Sequence, residues 1–433
     1  MVILRNNEMR SLSNVNTFRA FRSTNYTLYF VGRSVSQFGT WMQRTAVVWV
    51  IYTMTHSAFM LGLTIFAEQF PSFLLSIFGG VAADRYDRYK IIKITQIASM
   101  IQASLLAVLI ITGHYVVWEI LTLSVILGII NAFDVPARQS MIHEVLYDDT
   151  DLPNALSLNS AMASLASLLG PALSGIILEQ FGAGICFLLN AVSFGGVMLS
   201  LTFMKLPAYK PSATKKKIVL EFIEGFIYLR KTPAIGLIIL ILGVVSLLVL
   251  PYNTLLPVYA KEIFKGNAAT FGYITSFIGL GAVGGTILLA SLKKGANLKM
   301  LLLISTVILG TGLIAFSYTS NFPLAMFIAL LAGFGTVAQN TISNIVVQSE
   351  SAPRMRGRAI SIMIMAMYGM LPLGSLLVGA VSQQIGAPNT ILCQGILGLV
   401  IAAVFYHLLH THRLDSGNVL PVEASEETVA EEA

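Results

Sequence analysis

Long apolar stretches are the feature that most limits how this chain can fold. A helix crosses a bilayer with about 20 mostly apolar residues, and hydrophobic residues make up 55% of the 433 residues whereas charged residues make up 11%. Such continuous runs do not fit the short alternating strands of a membrane barrel. The sequence therefore predicts an all-α membrane protein with 12 transmembrane helices. The predicted segments are 26–54, 59–83, 91–112, 115–137, 154–179, 182–204, 234–258, 270–291, 300–318, 322–347, 357–384 and 388–409.

The distribution of lysine and arginine predicts the orientation of these helices. If both termini are cytoplasmic, 23 of the 27 basic residues fall in cytoplasmic segments, as the excess of basic residues on that side of a membrane requires. Only Lys261 and Lys265 lie in loops on the opposite side. We therefore expect cytoplasmic termini. The formal charge of +6 then reflects topology and contact with membrane lipids rather than binding to nucleic acid.

The two halves of the chain repeat each other. At an offset of 204 residues, Gly170 and Gly175 match Gly374 and Gly379. Parallel repeats of this kind in transporters place a binding site between the two halves. The predicted organisation is a cytoplasmic arm (1–25), a six-helix bundle (26–204), a cytoplasmic linker with an amphipathic helix (205–233), a second six-helix bundle (234–409) and an acidic cytoplasmic tail expected to be disordered (410–433).

Polar side chains follow one face of the first segment: Arg33, Gln37, Thr40 and Arg44. A charge near the bilayer centre costs about 2.5–3.5 kcal/mol, so this face is expected to point away from lipid. Glu68 of the second segment lies at a depth similar to that of Arg44, and the connection between the two segments is short. We predict that Arg44 and Glu68 form a proton-coupling element. The alternatives are a permanent structural ion pair and a hydrogen bond from Glu68 to a neighbouring helix.

Polar residues inside apolar segments also occur in the second half. Tyr252 and Asn253 lie between Pro251 and Pro257, a pattern typical of a bent helix with free backbone groups. Segment 322–347 carries its polar residues on one side. Interhelical hydrogen bonds that only join the helices are the alternative to a cavity. The predicted substrate cavity is lined by Arg33, Gln37, Thr40, Trp41, Arg44, Tyr252, Asn253, Gln339, Asn340 and Asn344.

Several short motifs resemble those of the major facilitator superfamily. Gly80-x3-Asp84-Arg85-x2-Arg88-x-Lys90 is similar to the signature of the loop between its second and third helices, with Asp87 where glycine is usual. Gly170-Pro171-x3-Gly175 resembles the antiporter signature of proton-driven exporters. Stretches 36–44, 132–139 and 356–358 are similar to those of the branch that holds enterobactin-exporter-like and macrolide-efflux-like proteins.

The resemblance implies roles for these residues. It implies a cytoplasmic gate in which Asp84 faces the helix that begins near Arg358, and close packing of the fifth predicted segment, with Pro171, on the eighth, where Gly281 and Gly285 form a pair of small residues. Asp134 lies near the cytoplasmic end of its segment on the face of Arg138, so a local pair or a gate role is expected. The predicted gate residues are Gly80, Asp84, Arg85, Arg88, Lys90, Asp134, Arg138 and Arg358, and the antiporter motif comprises Gly170, Pro171 and Gly175.

The function that follows is secondary active transport across the bacterial inner membrane. The resemblance implies proton-coupled export of amphipathic small molecules such as drugs, by alternating access between the two bundles. A siderophore exporter is the alternative within transport, and a non-transporting membrane receptor or scaffold is the alternative from another class. The sequence contains no phosphate-binding loop and no nucleophile–base or metal-ligand arrangement, so we predict no enzymatic activity, no cofactor and no metal. The expected partners are a small-molecule substrate, protons and lipids, and the expected state is a monomer.

Overall fold

The computed structural model describes residues 16–206, 218–292 and 296–410. Within these ranges the chain is helical, with no β-strand. Residues 1–15 of the predicted arm, the lysine run at 215–217 and the acidic tail after His410 lie outside the described residues. The described α-helices of at least 14 residues are α1 Thr24–Thr55, α2 Ala58–Arg85, α3 Arg88–Thr112, α4 Val117–Val145, α5 Leu152–Phe181, α6 Ala183–Phe203, α7 Ile218–Lys231, α8 Pro233–Leu248, α9 Ala268–Ala290, α10 Leu298–Tyr318, α11 Phe322–Glu350, α12 Arg356–Ile385 and α13 Ala387–His410.

Eleven helices among the described residues are long and apolar enough to cross a membrane. They follow the order of the predicted segments from 59–83 to 388–409, which confirms an all-helical membrane protein. The helix α1 corresponds to the remaining predicted segment and has 32 residues, but its polar face sets it apart from the eleven. A twelfth span and the cytoplasmic position of both termini therefore stay predictions.

Side-chain caps fix where several helices begin. Ser23, Ser57 and Asn321 each accept a hydrogen bond from a backbone amide in the first turn of the helix that follows. Asp87 does the same for α3, accepting from the amide of Tyr89 at 3.0 Å. Such caps satisfy amides that have no partner within the helix. The departure from glycine at position 87 therefore starts a helix two residues after α2 ends.

The helix α8 changes its winding where the two prolines predict a bend. After Leu248 the chain continues as a 3₁₀ turn over Leu250–Leu255 and, after Leu256–Val258, as a π-helical turn over Tyr259–Ile263. Proline removes a backbone donor and clashes with the preceding turn, which disrupts the regular helix. The combined element Pro233–Ile263 is still long enough to span a membrane.

The chain packs as two compact units. The first comprises Met1–Ala213 with Leu256–Gly279, and the second comprises Thr214–Leu255 with Leu280–Ala433. Chain order placed 256–279 in the second predicted bundle, whereas packing places these residues with the first unit. The reason is local, because the start of α9 lies directly against α5. The predicted bundle boundaries stay predictions.

Glycines allow the closest helix crossings inside each unit. In the first unit, a β-carbon on Gly79 of α2 would stand 1.9 Å from the carbonyl oxygen of Ala132 in α4. In the second unit, a β-carbon on Gly281 of α9 would stand 1.8 Å from the carbonyl oxygen of Leu330 in α11. No side chain larger than hydrogen fits at such distances without a shift of the backbone. At these two crossings the helix backbones are therefore in direct contact.

An ion pair recurs at equivalent helix ends in the two units. Arg88 at the start of α3 pairs with Glu144 at the end of α4, with 2.6 Å between Nη1 and Oε1. Lys299 near the start of α10 pairs with Glu350 at the end of α11, with 2.9 Å between Nζ and Oε1. The two pairs are about 210 positions apart, which agrees with the sequence repeat.

Three buried amide side chains join helices inside the first unit. Gln43 of α1 donates to Gln102 of α3 over 3.0 Å and accepts from Asn190 of α6 over 2.8 Å. Gln102 in turn donates to the carbonyl of Leu123 in α4 over 3.1 Å. A buried amide that is hydrogen-bonded avoids the desolvation cost of an isolated one. The network therefore fixes α1 relative to three neighbours.

Candidate functional site

An ion pair joins the first two helices within the first unit. The Nε atom of Arg44 in α1 lies 3.0 Å from the Oε1 atom of Glu68 in α2, with 44% of the arginine side chain and 15% of the glutamate side chain exposed. The carbonyl oxygen of Glu68 also lies where Gly128 of α4 allows close approach, 2.2 Å from a β-carbon built on that glycine. The backbone of Glu68 is thus held in place by a helix crossing. The predicted contact is present, and its role in coupling stays a prediction.

The other residues on the polar face of α1 are of two kinds: one bonds within its own helix, and two line a cavity. Thr40 donates to the carbonyl of Ser36 in its own helix over 2.9 Å. Arg33 donates to the hydroxyl of Tyr29 over 3.2 Å. Gln37 and Arg33 together line a small cavity against α5. Thr40 therefore contributes to the helix itself, whereas Arg33 and Gln37 border open space.

Asp134 is the centre of a buried polar cluster near one end of α4. Its carboxylate is 2% exposed and accepts hydrogen bonds from Thr95 at 2.8 Å and Gln96 at 3.0 Å. It also forms an ion pair with Arg138 one helical turn further on. A buried charge that has an opposite charge and several donors is stabilised, whereas an isolated one is not. The local pair with Arg138 is present in this form.

A second cavity lies among α1, α3, α4 and α6 of the first unit. Arg33 and Arg138 both border it, together with Tyr29 and Gln96. Arg33 therefore borders both cavities, and the two guanidinium groups share one of them. The sequence assigned Arg33 to the substrate cavity and Arg138 to the gate, and did not predict that both border one cavity.

The end of α2 and the start of α3 carry charged residues with different contacts. Asp84, Arg85 and Lys90 are exposed. Arg88 donates from Nε to the carbonyl of Ala83 over 3.0 Å, in addition to its pair with Glu144. Arg88 therefore joins the end of α2 to α3 and α4. A basic residue that only set the orientation of the helices in the membrane would not need these contacts.

The first glycine of the predicted gate motif makes no close contact. No atom lies within 4 Å of a β-carbon built on Gly80, whereas the adjacent Gly79 is in contact with α4. Helix geometry explains the difference, because neighbouring residues point about 100° apart around the axis. The prediction singled out Gly80, and the packing glycine of this pair is Gly79.

Arg358 at the start of α12 contacts the linker helix α7. It forms an ion pair with Glu224, and Tyr228 of α7 accepts a hydrogen bond from the amide of Ala352 over 3.0 Å. Gly225 brings α7 close to Ile362, which lies 2.9 Å from a β-carbon built on that glycine. Within the second unit, α7 is thus docked on α12 by charge, hydrogen bonding and close packing. The amphipathic pattern predicted the helix and did not reveal this partner.

The antiporter motif lies at two close contacts of α5 in the first unit. A β-carbon on Gly170 would stand 2.7 Å from the side chain of Trp41 in α1, and one on Gly175 would stand 2.6 Å from the carbonyl of Ala268 in α9. The carbonyl of Pro171 lies 2.4 Å from a β-carbon built on Gly272. The close packing of α5 on α9 is present.

The glycines of α9 that contact α5 are not the predicted pair. Gly272 and Gly279 face α5, whereas Gly281 and Gly285 face Leu330 and Phe334 of α11. A spacing of four residues identifies one helix face but not the neighbour that this face meets. The assignment of Gly281 and Gly285 to the contact with the fifth segment was therefore wrong.

Two of the predicted cavity residues of the second unit have buried polar atoms without a hydrogen-bond partner among the described residues. Gln339 is 1% exposed, and neither its amide oxygen nor its nitrogen has a partner among the described residues; the same holds for the side-chain oxygen of Asn340. Asn344 accepts a hydrogen bond from Gln348. Tyr252 is buried and Asn253 is exposed. A bundle held together only by polar contacts would satisfy Gln339 internally.

One cluster in the first unit was not predicted. Tyr52 at the end of α1 donates to Glu262 over 3.4 Å, and Nδ1 of His56 lies 3.8 Å from the same carboxylate. Trp49 stacks on Phe271 with 6.2 Å between ring centres. Glu262 is one of only two acidic residues in 234–409. This scarcity was the feature of the sequence that could have indicated the cluster.

An all-helical chain with apolar spans, and with ion pairs and buried polar clusters inside them, has the make-up of a multi-pass membrane protein. A profile of the family described as transmembrane secretion effector matches residues 15–433. The chain belongs to this family, which is part of the major facilitator superfamily, and is a multi-pass protein of the cell membrane. The predicted resemblance is thereby confirmed, as is the prediction of a transporter and not an enzyme.

Similar curated proteins are bacterial exporters and carriers of several kinds. The staphyloferrin A transporter of Staphylococcus aureus is 27% identical over 389 residues, covering 88% of this chain and 96% of that protein. The multidrug efflux pump Tap of Mycolicibacterium fortuitum is 22% identical, covering 86% and 92%. Macrolide efflux protein A of Streptococcus pyogenes is 21% identical, covering 90% and 97%.

Solved structures with the same fold are also transporters. A bacterial homologue of the human lysosomal transporter Spinster, in an inward-facing and unoccupied conformation, matches with a TM-score of 0.71 at 16% identity, covering 90% of this chain and 98% of that one. The nucleoside transporter NupG matches with a TM-score of 0.70 at 15% identity, covering 89% and 99%. At such identities the likeness shows the fold alone.

Proposed function

We propose that the chain is a proton-coupled exporter of amphipathic small molecules, working by alternating access with 12 transmembrane helices and cytoplasmic termini. The efflux proteins among its relatives and the glycine contacts of the antiporter motif support export. The pair between Arg44 and Glu68 is the single observation that carries the proposal of proton coupling. An ionisable pair inside membrane-spanning helices is costly and is usually retained for function.

The pair provides a chemical basis for coupling. Arg44 and the carboxylate of Glu68 attract each other across 3.0 Å and hold α1 to α2. A proton that reaches Glu68 from outside removes the attraction and releases the arginine, whereas loss of the proton inside the cell restores it. Because Gly128 fixes the backbone beneath Glu68, the change is confined to the two side chains and to the position of α1 relative to α2. Substrate movement coupled to that change would be antiport.

Glu68→Gln is expected to abolish transport that is driven by a pH gradient. Glutamine has nearly the same shape but cannot take up a proton, so export against a concentration gradient should fall to the level of protein-free vesicles. Downhill exchange of the same substrate should persist. The measurement is transport of a dye or drug panel in proteoliposomes with an imposed pH gradient, together with proton movement reported by a pH indicator inside the vesicle.

Glu119→Gln is the matched control. Glu119 caps the start of α4 by accepting from the amide of Val116 over 3.0 Å, and glutamine can also cap. This variant should keep pH-driven transport. Full pH-driven transport by Glu68→Gln would remove Glu68 from the mechanism, and transport without proton movement by the unmodified protein would refute antiport.

A siderophore exporter is the second candidate function. It is favoured by the similarity to a protein named as a staphyloferrin A transporter, which covers 88% of this chain. A siderophore panel in the same vesicles distinguishes the two candidates. Saturable transport of a metal-free siderophore, with no transport of drugs or dyes, would favour the second.

A further inference from the structure

We infer that Arg33 and Arg138, which border the cavity of about 10 Å³ among α1, α3, α4 and α6, bind the anionic group of the transported molecule, a carboxylate or phosphate, when this cavity opens in the transport cycle. This inference rests on the proposed export function and names the class of its substrate. It depends on three observations: the excess positive charge around the cavity, the buried polar atoms that have no hydrogen-bond partner, and the fact that Glu68 and Asp134 are already paired with arginines.

The charges that surround the cavity do not balance. Arg33 and Arg138 border it, and Asp134 is the acidic group paired with Arg138. In the part of the chain that the structure describes, no carboxylate lies within ion-pair distance of Arg33, whose hydrogen bond goes to the neutral hydroxyl of Tyr29. Two guanidinium charges and one carboxylate leave a net charge of about +1 in a weakly solvated site, where a charge needs a partner.

The buried polar atoms of the two cavities that Arg33 borders include two donors without a hydrogen-bond partner among the described residues. The Nε atom of Arg138 and the Nδ2 atom of Asn159 are buried and have no hydrogen-bond partner among the described residues. The second belongs to the cavity on the α5 side of Arg33. One buried acceptor, Oε1 of Gln96, also lacks a described partner. In the cavity that the two arginines share, an oxyanion would accept from Nε of Arg138, and a hydroxyl group beside it would donate to Oε1 of Gln96.

Two acidic residues inside the helices of the same unit, Glu68 and Asp134, offer little to a cation. Glu68 is already paired with Arg44 at 3.0 Å. The carboxylate of Asp134 is 2% exposed and has three donors around it. A cationic molecule would therefore have to displace an arginine to reach either carboxylate, whereas an anion would meet Arg33 without displacing a charge. The guanidinium group binds oxyanions through parallel hydrogen bonds, which also fixes their orientation.

The position of the cavity fits uptake from the cytoplasm. Arg33 lies nine residues after the start of α1 and Arg138 seven residues before the end of α4. In the proposed orientation both of these helix ends are cytoplasmic. An exporter takes its substrate from that side, so the anionic group would be captured early in the cycle.

The test compares aromatic probes of similar shape and different charge: naphthoate, naphthyl phosphate, the neutral naphthamide and the cationic naphthamidine. Binding to the purified full-length protein in lipid nanodiscs is measured by calorimetry at fixed ionic strength. We expect at least one of the two anions to bind more tightly than the amide and the amidine. Their relative affinities distinguish a carboxylate site from a phosphate site.

Variants at Arg33 locate the site. Loss of hydrogen bonds to a charged group should make Arg33→Gln bind the preferred anion roughly tenfold to a hundredfold more weakly. Arg33→Lys should fall in between, because it keeps the charge and loses the planar fork. Lys93→Gln, which removes a basic residue of α3 that does not border the cavity, should bind as the unmodified protein does.

Defined outcomes would overturn the inference. It fails if neither anion binds, if the amidine binds most tightly, or if Arg33→Gln leaves the affinity for the preferred anion unchanged. These results are separable from failure of the proposed function. Export of a cationic drug at an unchanged rate by Arg33→Gln would refute the anion site and leave proton-coupled export intact. Anion binding that depends on Arg33, in a protein that moves no protons, would support the anion site and refute proton-coupled export.

Discussion

Replacement of Asp134 by alanine is expected to lower the stability of the first unit by about 3–5 kcal/mol, the cost of breaking a buried ion pair by removing one partner. The substitution leaves Arg138 without its counter-charge and removes the acceptor for Thr95 and Gln96. Stability can be measured from the mid-point of unfolding in a denaturing detergent titration, followed by size-exclusion chromatography of the purified variant.

A second substitution separates the effect of the unpaired arginine on stability from the effect of lost packing. In the double variant Asp134→Ala with Arg138→Met, the unpaired charge is gone and methionine fills much of the same volume. Apolar replacement of a whole buried pair is often neutral, so most of the lost stability should return. If the double variant is no more stable than Asp134→Ala, the cost comes from cavity formation and not from the unpaired arginine.

The same double variant connects stability to the binding of anions. It removes one of the two guanidinium groups that border the cavity and leaves Arg33 in place. A folded double variant that no longer distinguishes anionic from neutral probes would assign Arg138 a binding role in addition to its pairing. Retained discrimination would contradict the inferred role of Arg138 and leave Arg33 as the only arginine of the site.

Helix positions were predictable because apolar length and basic residues are properties of the chain alone. The predicted segment 91–112 and the observed Arg88–Thr112 end at the same residue. The fourth segment was predicted to end at 137 but α4 continues to Val145. The added turns carry Arg138 and Glu144, whose charges are compensated by Asp134 and Arg88. Hydropathy treats such residues as solvent-exposed, because it does not take account of an oppositely charged partner.

The partners of individual side chains were only partly predictable. Arg44 and Glu68 could be placed together because a short turn joins their helices, which makes them neighbours at similar depth. Arg358 could not be matched with Glu224, since 134 residues separate them and helical period indicates a face but not what it meets. The shared cavity of Arg33 and Arg138 is a similar case, because it depends on how α1 and α4 pack.

The sharpest contrast between sequence and packing lies in two adjacent glycines of α2, where opposite effects are expected. Gly79→Ala places a methyl group 1.9 Å from the carbonyl oxygen of Ala132, so α2 and α4 must separate. Overpacking of this kind lowers stability by about 1–3 kcal/mol. We expect a loss at the upper end of this range, because the clashing atom is a backbone oxygen that cannot rotate away. Gly80→Ala meets nothing within 4 Å and should stabilise the helix by about 0.5–1 kcal/mol, because alanine loses less backbone entropy than glycine.

Both glycine variants can be compared in one detergent-unfolding series with transport measured in parallel. Gly79→Ala should unfold at a lower detergent fraction and lose transport, since the crossing of α2 and α4 also fixes the backbone around Glu68. Gly80→Ala should unfold slightly later than the unmodified protein. Unchanged stability of Gly79→Ala would mean that the two helices are further apart than described. Loss of transport by a stable Gly80→Ala would instead indicate that this glycine is needed when the gate moves, as the signature motif of the family implies.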